Sequence, residues 1–132
     1  MDIKDLLEKT YELFLTSEVL TEDSSMTNRI KDLIENGQYE KAIRLFIYTL
    51  MFEINNYSIY NKIRQKELND CIIILHTIDE TGLTDSNIIE FIKIIFKFCL
   101  YLSENKLNLR TNKEKWELIK AKLAELSMLI EE

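Results

Sequence analysis

Apolar side chains recur every three or four residues along almost the whole chain, the spacing of helices with one buried face. Ile3, Leu6, Leu7, Thr10, Leu13, Phe14 and Ser17 share one face of a helix expected over about 2–20. Asp2 and Asp5 suit its start, where the helix dipole favours negative charge, and Asp5, Glu8 and Glu12 form a second, solvent-facing stripe. TEDSSMT (21–27) is rich in cap-forming side chains and reads as a loop. A short helix follows over about 27–36 on Ile30, Leu33 and Ile34, closed by Asn36-Gly37, because glycine supplies the left-handed conformation that ends a helix. The third helix, about 38–55, places Tyr39, Ala42, Ile43, Phe46, Leu50 and Ile54 inward, with Ile47 and Met51 widening the face. NNYS (55–58) marks a break. The fourth helix, about 58–80, turns Ile63, Cys71, Ile74, Leu75 and Ile78 inward and ends at Thr81-Gly82.

The fifth pattern, about 85–104, is apolar on nearly every side, with a narrow polar stripe at Glu90, Lys93, Lys97 and Glu104. A helix of that kind is buried. It is expected to be the central helix of the bundle, or to have its second face covered by another chain. Thr111 and Glu114 have capping-box spacing at the start of a last helix reaching about 130. There Trp116, Ile119, Leu123, Leu126 and Ile130 repeat at alternating steps of three and four, a coiled-coil-like seam. Together these patterns predict an all-α protein: a single domain, 1–132, built as a compact bundle of five to six helices with short connections. The absence of proline and the presence of only two glycines agree, since an all-β chain of this size needs many turns.

One segment carries a family likeness. Gly37, Tyr39, Ala42, Ile43 and Phe46 resemble the second half of a tetratricopeptide unit, over roughly 28–54. The resemblance implies a glycine closing one helix, a small alanine permitting close approach of the next, and an aromatic packing the pair. The Trp-x-x-Leu-Gly opening, the terminal proline and a second copy at 34-residue spacing are missing. An antiparallel helix corner meeting the same packing demand accounts for these residues as well as a divergent repeat with a peptide groove does.

Charge adds a second theme. Seven acids and two lysines fall in residues 1–23, so that segment carries −5 of a net −6. No basic patch dominates, which disfavours binding to a phosphate backbone; the lysines at 113, 115, 120 and 122 are diluted by Glu114, Glu117 and Glu125. An acidic face suits steering onto a partner with a basic surface. No secretory or membrane-spanning segment is read, which places the chain in the cytoplasm of a bacterium or of a phage- or virus-infected host, consistent with an isoleucine-, lysine- and asparagine-rich composition.

A catalytic signature is missing. His76 is the one histidine, with only Asp79 and Glu80 at helical spacing, too few ligands for a metal site. Cys71 and Cys99 sit in apolar runs and read as buried thiols. Two isolated glycines exclude P-loops and dinucleotide fingerprints. No cofactor and no enzymatic activity are expected. Tyr39, Tyr48, Phe52, Tyr57 and Tyr60 lie near Lys41, Arg44, Lys62, Arg64 and Lys66, and such rings stack on nucleic acid or, more commonly, pack between helices. The sequence therefore reads as a non-enzymatic protein-binding module, with a small accessory subunit of a nucleic-acid-binding complex as the alternative. If neighbouring helices leave the fifth or sixth helix incompletely wrapped, a homodimer is expected, with Phe98 and Trp116 as its buried anchors.

Overall fold

The computed structural model describes the backbone of residues 2–57, 64–107 and 113–131, and the side chains of 2–55, 66–97 and 113–129. The expected positions Ile63, Phe98, Cys99, Thr111 and Ile130 fall outside the described side chains. Six helices and no strand occur among the described residues: α1 (Ile3–Thr16), α2 (Ser25–Glu35), α3 (Tyr39–Tyr57), α4 (Arg64–Thr81), α5 (Asp85–Leu107) and α6 (Lys113–Glu131).

The inner face of α1 is the one its periodicity indicates. Leu6, Leu7, Leu13 and Phe14 are wholly buried, as are Thr10 and Ser17. The two hydroxyls are accommodated because each donates to a carbonyl one turn back, Thr10 to Leu6 and Ser17 to Leu13, both at 2.8 Å. The helix ends sooner than expected. Ser17 caps it, and Glu18 enters the left-handed region with φ 59°. Its N–H donates to the Leu15 carbonyl, and the Leu20 N–H reaches back to Phe14. α2 begins earlier than expected because Ser24, within the cap-rich loop, is its cap: the Ser24 Oγ accepts the Thr27 N–H at 3.1 Å.

Both glycines close helices. At the α2–α3 corner Gly37 has φ 75°, its N–H donates to Ile34, and the Gln38 N–H donates to Leu33, the paired bonds of a Schellman turn. Behind it Ala42 and Phe46 are fully buried and Tyr39 is half-buried. Gly82 ends α4 with φ 74° and a single bond to the Ile78 carbonyl. Thr84 then caps α5 through the Asn87 N–H at 3.1 Å. The nearly buried Asn87 amide donates back to the Thr81 hydroxyl (2.8 Å) and the Gly82 carbonyl (2.7 Å), tying the corner together.

The apolar density of α5 predicts it as the central helix; the structure gives that place to α3. α3 packs on α1, α2, α4 and α5, and Phe46 stands between Phe14 of α1 (5.0 Å between ring centroids) and Phe91 of α5 (6.1 Å). α5 instead lies against α3 and α4, with a lesser contact to α6. In its described portion Ile88, Phe91, Ile92, Ile94 and Ile95 are buried while Glu90, Lys93 and Lys97 face solvent, so most of the apolar surface of that portion is covered within one chain. α6 packs chiefly on α1, joining the two ends of the chain, and buries Ile119 and Leu126 of its seam completely.

Candidate functional site

Among the described residues, the chemistry-bearing side chains do not converge. His76 is exposed, on the outer side of α4, and the neighbouring Asp79 carboxylate is bound to the Arg44 guanidinium. Among the described residues no group of three or more potential metal ligands occurs. The Cys71 thiol is buried, and burial, helped by the nearby charges of Asp70 and Glu67, pushes its pKa up to about 12, which suppresses the nucleophilic thiolate.

The acids of α1 are placed differently from one another. Glu8 is exposed and Asp5 is half-buried, its N–H accepted by the Asp2 carboxylate at 3.3 Å. Glu12 meets Lys122 of α6 at 3.2 Å. Two further ion pairs run along the same seam, Lys115 to Glu18 at 3.1 Å and Lys9 to Glu125 at 3.5 Å. The acidic first segment and the lysines near the C-terminal end are therefore partly each other's counterions. Exposed pairs of this kind contribute roughly 0–1 kcal/mol each, so they align α1 with α6 more than they hold it there. Trp116 is half-buried against the core, and the Lys120 ammonium lies 5.4 Å from its ring centroid, so much of that ring is engaged within the chain.

The feature that does converge is an apolar groove of about 450 Å³ beside the outer side of α3. Its lining is Val19, Leu20, Thr21, Ser24, Met26, Tyr48, Thr49, Phe52 and Glu53. Local structure explains each part. The left-handed turn at Glu18 folds the chain back so that Val19 and Leu20 are both 4% exposed and belong to the core. A second left-handed residue, Asp23 (φ 63°), precedes the Ser24 cap, and the first turn of α2 then presents Met26. The Thr27 hydroxyl pins this loop by donating to the Thr21 carbonyl at 2.6 Å. On α3, Tyr48 and Phe52 are one turn apart and remain 48% and 63% exposed. Thr49, whose hydroxyl donates to Leu45 at 2.8 Å, and Glu53 complete the lining, both nearly buried.

These outward rings were legible in the sequence. At about 100° per residue, Tyr48 and Phe52 point away from the stripe of Ala42, Ile43, Phe46, Leu50 and Ile54, while Glu53 falls within the arc of that stripe. The aromatics of 39–60 divide accordingly: Tyr39 is half-buried, but Tyr48 and Phe52 are exposed and not core. The burial of Glu53 and Glu67 was not anticipated from sequence either.

Electrostatics sets the groove apart from its surroundings. Among the described residues its single charged lining residue is Glu53. Glu22 and Asp23, exposed on the loop between the lining residues Thr21 and Ser24, have no ion-pair partner among the described residues. Arg44, one turn before Tyr48, is held by Glu40 and Asp79. A second groove of about 430 Å³ runs between α4 and α5, where Ile73 is 60% exposed. Its rim is internally compensated, Lys97 to Asp70 at 3.6 Å and Lys93 to Glu90 at 3.2 Å.

No protein-family model matches the chain, and neither the curated proteins nor the solved structures contain a significant match to it. No helix among the described residues is long and apolar enough to cross a membrane.

Proposed function

We propose that this chain is a non-enzymatic protein-binding module that acts by occupying a partner protein's surface, in the manner of an adaptor, chaperone, immunity protein or inhibitor. The observation that carries this reading is the groove between the α1–α2 loop and α3. Met26, Tyr48 and Phe52 converge there in the open, outside the closed core of the bundle. Exposed apolar clusters of this kind mark interaction sites, and aromatic residues are the usual anchors of protein interfaces. The competing role in nucleic-acid binding would use Tyr48 and Phe52 for stacking. It is disfavoured by the carboxylates around them and by the engagement of Arg44 with Asp79 and Glu40, since stacking platforms work together with a positive groove.

Selection of displayed random peptides on the immobilised full-length chain tests the proposal, with a Phe52→Ala chain of verified helicity as the counter-target. Peptide families retained by the wild-type chain and lost on Phe52→Ala are the expected result. Failure to enrich any peptide, or enrichment indifferent to Phe52→Ala, would overturn docking in this groove.

A further inference from the structure

α6 is attached to the bundle differently from the other helices. Ile119 and Leu126 are the only buried side chains among its described residues, whereas α2, with 11 residues, buries Thr27, Ile30 and Ile34. The other seam positions of α6, Trp116 and Leu123, are partly buried, and Leu118 and Met128 are exposed. Its principal contact is with α1, whereas the aromatic centre of the core, Phe14, Phe46 and Phe91, comes from α1, α3 and α5. Three ion pairs cross the contact: Lys9 with Glu125, Glu12 with Lys122, and Glu18 with Lys115. Numbers rise on one side as they fall on the other, so α6 lies antiparallel to α1 in one fixed register.

We infer that α6 is a strap that opens and closes on α1 as a unit, its closed fraction set by ionic strength, while α1 to α5 stay folded. An element that buries few apolar side chains separates at a lower free energy than the domain as a whole. The six charged side chains of the seam are between 19% and 55% exposed, so added salt screens them. Each pair contributes little alone, but all three act on one equilibrium, the closing of α6, and their contributions add there. α1 keeps its place when the strap leaves, because Phe14 is packed edge-on against Phe46 of α3. The α4–α5 pair supplies the contrast: it too has an interhelical ion pair, Lys97 to Asp70, but the two Asn87 amide bonds also tie its corner. Opening of α6 frees its apolar seam and uncovers the flank of α1 beneath it.

Amide hydrogen exchange of the full-length chain at low and high sodium chloride tests the strap, with α3 as the internal reference. The amides of α6 from Trp116 to Leu126 are expected to share one opening equilibrium and to exchange at least about tenfold faster than those of α3. High salt should speed them about fivefold and leave α3 within about twofold. Glu12→Gln, Glu18→Gln and Glu125→Gln together, with helical content verified by circular dichroism, should bring α6 to its high-salt rate and remove the salt dependence. Trp116, the one tryptophan of the chain, gives a second readout: its emission should change at lower urea than the main loss of helix. Exchange of α6 together with α3 at both salt levels, with coincident emission and helix transitions, would make the bundle one cooperative unit and overturn the inference. So would protection fading gradually along α6 from one end, which is fraying, or acceleration of α1 in step with α6. A salt effect that is absent from the parent chain, or that persists in the triple variant, would remove the ion pairs from control of the strap and overturn it as well.

Discussion

Phe46 and Phe52 offer a matched test of the architecture, because they share a helix and a residue type but not an environment. Phe46 is fully buried, edge-on to Phe14 with an interplanar angle of 75°, and also faces Phe91. Truncating it to alanine removes a ring from the meeting point of α1, α3 and α5 and leaves a cavity that the surrounding helices fill only in part. Phe→Ala in such a site costs about 3–5 kcal/mol, a total that includes the lost ring contacts. Against a total stability of about 5–15 kcal/mol, that is a large fraction. At about 3–6 °C per kcal/mol for a chain of this size, the midpoint should fall by on the order of 10 °C or more. Phe52 is 63% exposed, so Phe52→Ala should stay within about 0.5 kcal/mol of the parent. Urea titration followed by far-ultraviolet circular dichroism measures both variants under one condition. Loss of peptide binding by Phe52→Ala without loss of stability would separate the surface role of α3 from its core role. If the two variants lose similar stability, or if Phe46→Ala is neutral, the assignment of α3 as the central helix with one outward aromatic stripe is wrong.

Four further outcomes are expected. Ala42→Leu should destabilise the chain by about 1–3 kcal/mol by overpacking, since Ala42 is wholly buried behind the Gly37 corner; an unchanged urea midpoint would contradict that close approach. Asn87→Ala should cost about 1–3 kcal/mol by leaving partners at the α4–α5 corner unsatisfied, with amide exchange near Gly82 accelerating before exchange near Gly37. In a Cys99→Ala background Cys71 should resist thiol reagents in the native state. Its folded pKa is raised from 9.0 to about 12, so its contribution to stability is complete below pH 9 and lost as pH rises through 12, a decline that Cys71→Ala should remove from the stability profile. Lysine in place of Asp5, Glu8 and Glu12 together should slow association with a basic peptide at low salt while leaving the fold intact, and exchanging the Glu12 and Lys122 charges should restore no more than about 1 kcal/mol to the Glu12→Lys chain.

Much of the fold is determined locally and was therefore legible in the sequence. The buried faces of α1 and α3 follow from spacing alone, because a residue's position around a helix depends only on its number along it. The ends of α2 and α4 follow from Gly37 and Gly82, because the left-handed conformation is a property of one residue and its neighbours. Tertiary structure decided which faces meet. Periodicity measures how much of a helix is apolar, not which helix covers it, so α5 read as the centre although α3 holds that place between Phe14 and Phe91. The charge imbalance of the first segment likewise concealed its counterions, since Lys115 and Lys122 reach Glu18 and Glu12 only when α6 closes against α1. The groove required both levels: the outward phase of Tyr48 and Phe52 is written in α3, but only the turns at Glu18 and Asp23 bring Leu20 and Met26 beside them and leave Glu53 nearly buried in the lining.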